Sequence, residues 1–101
     1  MPDDLRNPIT QLRSLTRSDL LTLERLAHSM MIAGLWISAD RSRDTCCDCL
    51  KIATYDVSGA ALSIGVLASG RYFYMDHRSG AVFLGEDLED VLVQASLSLG
   101  N

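Results

Sequence analysis

The residues of this chain best suited to chemistry are three cysteines within four positions, Cys46, Cys47 and Cys49. Thiolates bind zinc and other thiophilic metals, and His77 or His28 could complete a tetrahedral set. A structural zinc site normally uses two separated ligand pairs, and this sequence lacks the second pair. The cluster therefore leaves two interpretations open: a metal site built on the three cysteines and His77, or reduced thiols of which one or two pack as small apolar residues.

A redox role for the same cysteines is a further alternative, because Cys46 and Cys49 form a C-x-x-C pair. Redox pairs of this kind lie at the start of a helix after a buried strand, where the helix dipole lowers the thiol pKa. The surrounding sequence does not predict that context, and Asp44 and Asp48 disfavour a thiolate. We therefore rank a redox-sensitive or metal-stabilised regulator behind a protein-binding function.

One stretch resembles part of a hydrolytic site, since His77 follows Asp76 and Cys47 or Ser79 could act as the nucleophile. Neighbours in sequence seldom have the geometry that a nucleophile, a base and an orienting group require. An Asp at the start of a turn commonly caps its own backbone instead. The motifs G-x-S-x-G and H-E-x-x-H and a glycine-rich phosphate loop are all absent. We predict no enzymatic activity and no required cofactor.

Acidic residues near the carboxyl end of the chain are candidates for binding a partner: Glu86, Asp87, Glu89 and Asp90, with Asp76 upstream. Together they could present a negative surface to a basic protein. The alternative is that the four clustered acids only favour the positive end of a helix dipole.

Aromatic residues between positions 72 and 83 are the second set of candidate contacts. Tyr72, Phe73, Tyr74 and Met75 are consecutive, and Phe83 follows on the next predicted strand. A sheet that helices cover on one face only would expose alternate members, and Tyr and Met are favoured at interface cores. We therefore predict Tyr72 and Tyr74 as partner-binding residues. The alternative is that the helices and Trp36 cover both faces.

Size and charge narrow the class of protein. The chain has 101 residues, enough for one domain, and its hydrophobic fraction of 48% supports a folded core. The formal net charge of −4 disfavours binding to nucleic acid, which requires clustered positive charge. We find neither an apolar run of the ~20 residues that a membrane span needs nor a secretory signal, so we expect a cytoplasmic protein.

The first half of the chain predicts helices followed by a loop. Residues 1–7 are polar and expected to fray, and Pro8 suits the first turn of a short helix over 8–15. A capping-box pattern at Thr16 then starts a main helix over about 17–33, and residues 35–38 after it form either a short strand or the end of the helix. The polar stretch 39–49 is interpreted as a surface loop.

The second half alternates apolar residues with period two between three Ser-Gly dipeptides, which mark chain reversals. Strands are predicted over 50–55, 60–67, 71–75 and 81–84, and a closing helix over 86–97. In the second strand Ala61, Ser63 and Gly65 leave one face without bulk, so another part of the molecule can approach it closely.

The sequence thus predicts an α+β domain in which N-terminal helices and a C-terminal helix form a single layer on one face of a four-stranded antiparallel meander. We interpret it as a small acidic protein-binding module that inhibits or neutralises a larger, basic partner. In size and charge it resembles phage and mobile-element anti-defence proteins, including anti-CRISPR proteins, and toxin-immunity proteins. Homodimerisation through an open sheet edge is a third hypothesis, compatible with the others.

Overall fold

The computed structural model describes residues 14–97. Within these residues, two helices flank five strands in the order α1, β1, β2, β3, β4, β5, α2. Their bounds are α1 Arg17–Ile32, β1 Trp36–Arg43, β2 Cys47–Thr54, β3 Ala60–Leu67, β4 Tyr72–Asp76, β5 Ala81–Gly85 and α2 Leu88–Gln94. The predicted frayed segment 1–7 lies outside the described residues, as does most of the predicted helix 8–15. Residues 14–16 are described and are not helical.

Helix α1 begins at the predicted capping box. The Thr16 hydroxyl accepts a hydrogen bond from the backbone N–H of Asp19, and the Asp19 carboxylate accepts one from the backbone N–H of Thr16, each at 3.0 Å. Leu23, Leu26 and Ala27 form the buried stripe of the helix. The helix ends at a C-cap followed by Gly34, whose φ of +78° suits glycine. The predicted main helix is therefore confirmed.

The five strands form one antiparallel meander in chain order. Gly59, Gly70 and Gly80, the second residues of the three Ser-Gly dipeptides, all have positive φ and lie at the reversals between β2 and β5. Their lack of a Cβ lets the chain turn at these points without steric cost. The α+β class and the antiparallel sheet are thus confirmed.

The prediction of four strands is wrong, because the region interpreted as a surface loop contributes an additional strand. Within 39–49, residues 39–43 belong to β1, residues 47–49 begin β2, and only residues 44–46 connect the two strands. In the register of this pair, Asp40 lies opposite Lys51 and Arg41 lies opposite Leu50. The polar sequence is tolerated because β1 is an edge strand, where charged side chains reach solvent or each other.

The core lies between the two helices and one face of the sheet. Its cluster contains Leu23, Leu26 and Ala27 of α1, Leu88, Val91 and Leu92 of α2, and alternate residues of the central strands such as Leu50, Ile52, Leu62, Ile64, Val66 and Tyr74. We call this side of the sheet the covered face. Neither described helix is long and apolar enough to cross a membrane.

Candidate functional site

The side of the sheet opposite the core is the candidate functional site, and we call it the open face. Side chains alternate along a strand, so the neighbours of the core residues point to this side. They line a groove with a volume of about 270 Å³. The lining residues are Asp44, Cys47, Cys49, Lys51, Ser63, Leu67, Phe73, Met75, His77, Val82 and Leu84. Neither α1 nor α2 contributes to this lining.

Apolar side chains dominate the part of the groove formed by β4 and β5. Phe73 is buried and Met75 is half-buried, whereas Val82 and Leu84 remain 49% and 41% exposed. These four residues share a face because Phe73 pairs with Leu84 and Met75 pairs with Val82 in the register. The sequence analysis did not single out Val82 and Leu84, although their alternation with Phe83 is the signal that could have found them.

Polar groups interrupt this apolar surface at a few points. The Ser63 hydroxyl oxygen lies 2.8 Å from Nε2 of His77, within hydrogen-bond distance. Lys51, the chain's single lysine, is exposed on the neighbouring strand, and Asp44 lies on the groove wall. The lining of the groove therefore combines an apolar floor with the charged side chains of Lys51 and Asp44.

Asp76 does not assist His77 in the way a catalytic carboxylate would. Its two oxygens accept hydrogen bonds from Nε and Nη2 of Arg78, at 3.0 and 3.1 Å. Arg78 also donates through Nη1 to Asp56 at 3.1 Å, which ties two turns together. These hydrogen bonds from Arg78 lower the pKa of Asp76. The carboxylate predicted to contact a partner thus stabilises the turns on its own chain.

The three cysteines separate in the structure. Cys47 and Cys49 both line the groove with their sulfur atoms 3.9 Å apart, whereas Cys46 is exposed and lies outside the lining. Burial raises the pKa of both groove thiols, that of Cys49 to about 12. Within residues 14–97, no three Cys, His, Asp or Glu side chains are arranged to hold a metal ion, so the predicted set with His77 is not brought together.

Gly65 explains why Cys49 is buried. The two residues are paired across β2 and β3, and a Cβ on Gly65 would lie 2.5 Å from both Cα and Cβ of Cys49. The strands approach this closely only because Gly65 has no side chain. The close approach that the sequence predicted for the face with Ala61, Ser63 and Gly65 is thus made, at Gly65, by the neighbouring strand β2 of the same chain.

The predicted aromatic contacts Tyr72 and Tyr74 point to the covered face. The Tyr72 hydroxyl donates a 2.6 Å hydrogen bond to the Asp19 carboxylate of α1. Tyr74 is only 7% exposed, and its ring centroid lies 5.9 Å from that of Phe83. The structure thus places Tyr74 in the core, and Phe73 and Met75 are the β4 residues that reach the open face.

The acidic residues after β5 are exposed, and two of them border a second groove. Glu86, Asp87, Glu89 and Asp90 are all exposed, and Asp87 caps α2 by accepting the backbone N–H of Asp90 at 2.8 Å. Asp19 of α1 joins Asp87 and Glu89 along a groove of about 440 Å³, which we call the acidic groove. The sequence did not indicate this meeting, because Asp19 and Asp87 belong to different helices.

The buried carboxylate of Asp48, paired with the exposed Arg41, fixes the segment before α1 to the sheet. Arg41 donates through Nε and Nη2 to the Asp48 carboxylate at 2.9 and 2.7 Å, and the backbone N–H of Leu15 donates to the same carboxylate at 2.8 Å. The Asp48 side chain is only 3% exposed. Hydrogen bonds from Arg41 hold the pKa of Asp48 below its usual range. Asp48 thus has a structural role.

No protein-family model, curated protein or solved structure matches this chain. Among the surfaces formed by residues 14–97, the open face is the most distinctive because it is lined largely by apolar side chains.

Proposed function

We propose that this chain is a non-enzymatic protein-binding module whose docking surface is the open face of the sheet. The observation that carries the proposal is the apolar groove, which neither described helix lines and in which Val82 and Leu84 remain 49% and 41% exposed next to Phe73 and Met75. Contiguous apolar surface of this kind commonly marks a site of protein contact. Its mixture of aromatic, aliphatic and thioether groups suits an apolar anchor side chain of a partner.

Charge supports a partner that carries basic residues beside its apolar anchor. Leu84 of the open face is followed within a few residues by Glu86 and Asp87, where the exposed acids begin. A partner segment seated along β5 would therefore meet negative charge beyond the end of the groove. The net charge of −4 favours approach of the same class of partner.

An inhibitor or neutraliser of a larger protein is the biological role that fits these features best. Such a protein acts by occupying a surface and needs no chemistry of its own. The Ser63 hydroxyl, which lies within hydrogen-bond distance of His77, is only 5% exposed and lies within a strand, which supports a non-enzymatic role. Anti-defence proteins of phages and mobile elements, such as anti-CRISPR proteins, and immunity proteins are the proposed classes. Three free cysteines support a reducing compartment such as the cytoplasm.

Selection of binding peptides from a random library tests the proposal even though the natural partner is unidentified. The wild-type protein is immobilised, and selected peptides are compared for binding to Met75→Gln, Leu84→Gln and Val93→Gln. Glutamine removes apolar character without adding charge. Val93 is the matched control, because it is an apolar residue of α2 with 67% exposure and lies outside the groove lining.

We expect selected peptides to combine Leu, Phe or Met with Arg or Lys. Their affinity should fall at least tenfold in the two groove variants, as for the ~1.4 kcal/mol loss of a moderate interface contact, and should stay unchanged in Val93→Gln. If the peptides bind all three variants equally well, the open face is not the docking surface.

A further inference from the structure

We propose that Cys47 and Cys49 form a two-thiol site for a soft monovalent metal ion, Cu⁺, at one end of the open-face groove. This site goes beyond the proposed docking function and does not depend on it. It uses two of the three clustered cysteines and assigns no ligand role to Cys46 or His77.

The geometry places both sulfur atoms within reach of one ion. Cys47 and Cys49 are two residues apart on β2, so their side chains leave the strand on the same face. Their sulfur atoms are 3.9 Å apart. A zinc–sulfur bond is about 2.3 Å long, so two metal–sulfur bonds of similar length can bridge sulfurs up to about 4.6 Å apart. Small side-chain rotations are therefore enough to close the site.

The number of ligands selects the kind of ion. Structural zinc requires four ligands, and within residues 14–97 no third Cys, His, Asp or Glu joins the two thiols. Soft thiolate ligands favour Cu⁺, and two thiolates are sufficient for this ion. The pair therefore suits Cu⁺ better than a divalent ion that needs a fuller shell.

Lys51 and Asp44 are the charged side chains that line the groove beside the pair. Binding follows Cu⁺ + 2 R–SH → [Cu(SR)₂]⁻ + 2 H⁺, in which two sulfur–hydrogen bonds are replaced by two copper–sulfur bonds and no oxidation state changes. The product carries one negative charge, and Lys51 lies two residues further along β2 on the same groove wall. Leu67 lies opposite Cys47 in the register. Together with Phe73 it gives this end of the groove apolar walls.

Competition for Cu⁺ with bicinchoninate under anaerobic, reducing conditions tests the site, with native mass spectrometry to count bound ions. The proteins compared are the wild type, Cys47→Ser, Cys49→Ala and the matched control Cys46→Ser. Thermal unfolding confirms that each variant is folded. Because Cys47 is only partly buried, Cys47→Ser keeps the test decisive even where the Cys49 variant does not fold.

We expect one ion per wild-type chain and unchanged binding in Cys46→Ser. Loss of either groove thiol should weaken binding by more than about 100-fold, since even outer-shell substitutions cost roughly 10–100-fold. Release of two protons predicts that affinity falls by about 100-fold for each unit of pH below neutrality. The proposal is overturned if the wild type fails to compete for Cu⁺ or if Cys47→Ser keeps its affinity. It is also overturned if Cys46→Ser loses as much affinity as the groove variants, or if one ion is shared by two chains.

Discussion

Replacing Gly65 with alanine tests how tightly β2 and β3 approach beneath the open face. The added Cβ would lie 2.2 Å from the carbonyl oxygen of Asp48 and 2.5 Å from Cα of Cys49. Both are backbone atoms of the paired strand and cannot rotate away. An ordinary contact begins near 3.4 Å, so the strands would have to separate locally by about 1.2 Å, the difference between 3.4 and 2.2 Å.

The expected loss of stability follows from this separation. Overpacking costs about 1–3 kcal/mol, and weakening two neighbouring ladder hydrogen bonds adds about 1 kcal/mol each. A Gly→Ala change also lowers the entropy of the unfolded chain, which offsets about 0.4–1 kcal/mol of this loss. We therefore expect Gly65→Ala to lower the free energy of unfolding by about 3 kcal/mol. For a domain of this size that corresponds to a fall in Tm of roughly 12–24 °C.

Thermal and urea unfolding followed by circular dichroism measure this effect. Gly34→Ala is the matched control, because Gly34 has a positive φ of +78° but nothing lies within 4 Å of the position that its added methyl group would take. Its free energy of unfolding should fall only by the roughly 1–2 kcal/mol that a left-handed backbone costs a residue with a side chain. A Gly65→Ala protein within about 0.5 kcal/mol of the wild type, well below the overpacking cost, would refute the close approach.

Three further predictions concern individual contacts. Asp48→Asn should lower the free energy of unfolding by about 2 kcal/mol, the usual range for hydrogen bonds to charged groups. The pKa of Asp48 is lower in the folded protein than in the unfolded chain. Its contribution to the free energy of unfolding is therefore present above the unfolded pKa of about 3.9 and is lost as the pH falls through the folded pKa. The free energy of unfolding of Asp48→Asn should accordingly depend less on pH in the acid range than that of the wild type. Tyr72→Phe should cost about 1–2 kcal/mol in urea unfolding by removing the hydrogen bond to Asp19, and no loss would contradict that bond. Alkylation at pH 8 followed by peptide mass spectrometry should modify exposed Cys46 first and leave Cys49 protected, since its pKa is raised to about 12; early labelling of Cys49 would show that the groove is more open than described.

The sequence predicted the strands that carry a clear apolar alternation. The turn glycines at 59, 70 and 80 correctly marked the chain reversals between the predicted strands, and the capping box at Thr16 correctly marked the start of α1. The polar part of strand β1, residues 39–43, was not predicted because its side chains act through partners distant in sequence. Arg41, for example, pairs with Asp48 on the adjacent strand, which local composition does not reveal.

The candidate site was predicted only in outline. Residues 72–75 are apolar or aromatic on both faces of the strand, so periodicity could not decide which pair the helices cover. Contacts from α1 determine which face each residue takes. Tyr72 donates a hydrogen bond to Asp19 of α1 and therefore lies on the covered face, whereas Phe73 and Met75 lie on the open face. Such contacts depend on how helix and sheet pack, which the strand sequence alone does not encode.

The central claim, that the open face is the docking surface, is tested most directly by one affinity ratio. A fluorescent peptide from the selection is titrated by anisotropy into wild type, Leu84→Gln and Val93→Gln, whose altered residues are both exposed in the free protein. We predict a dissociation constant at least tenfold higher for Leu84→Gln, about 1.4 kcal/mol or more, and a wild-type value for Val93→Gln. Equal affinities for the wild type and Leu84→Gln, or a loss confined to Val93→Gln, would contradict the account.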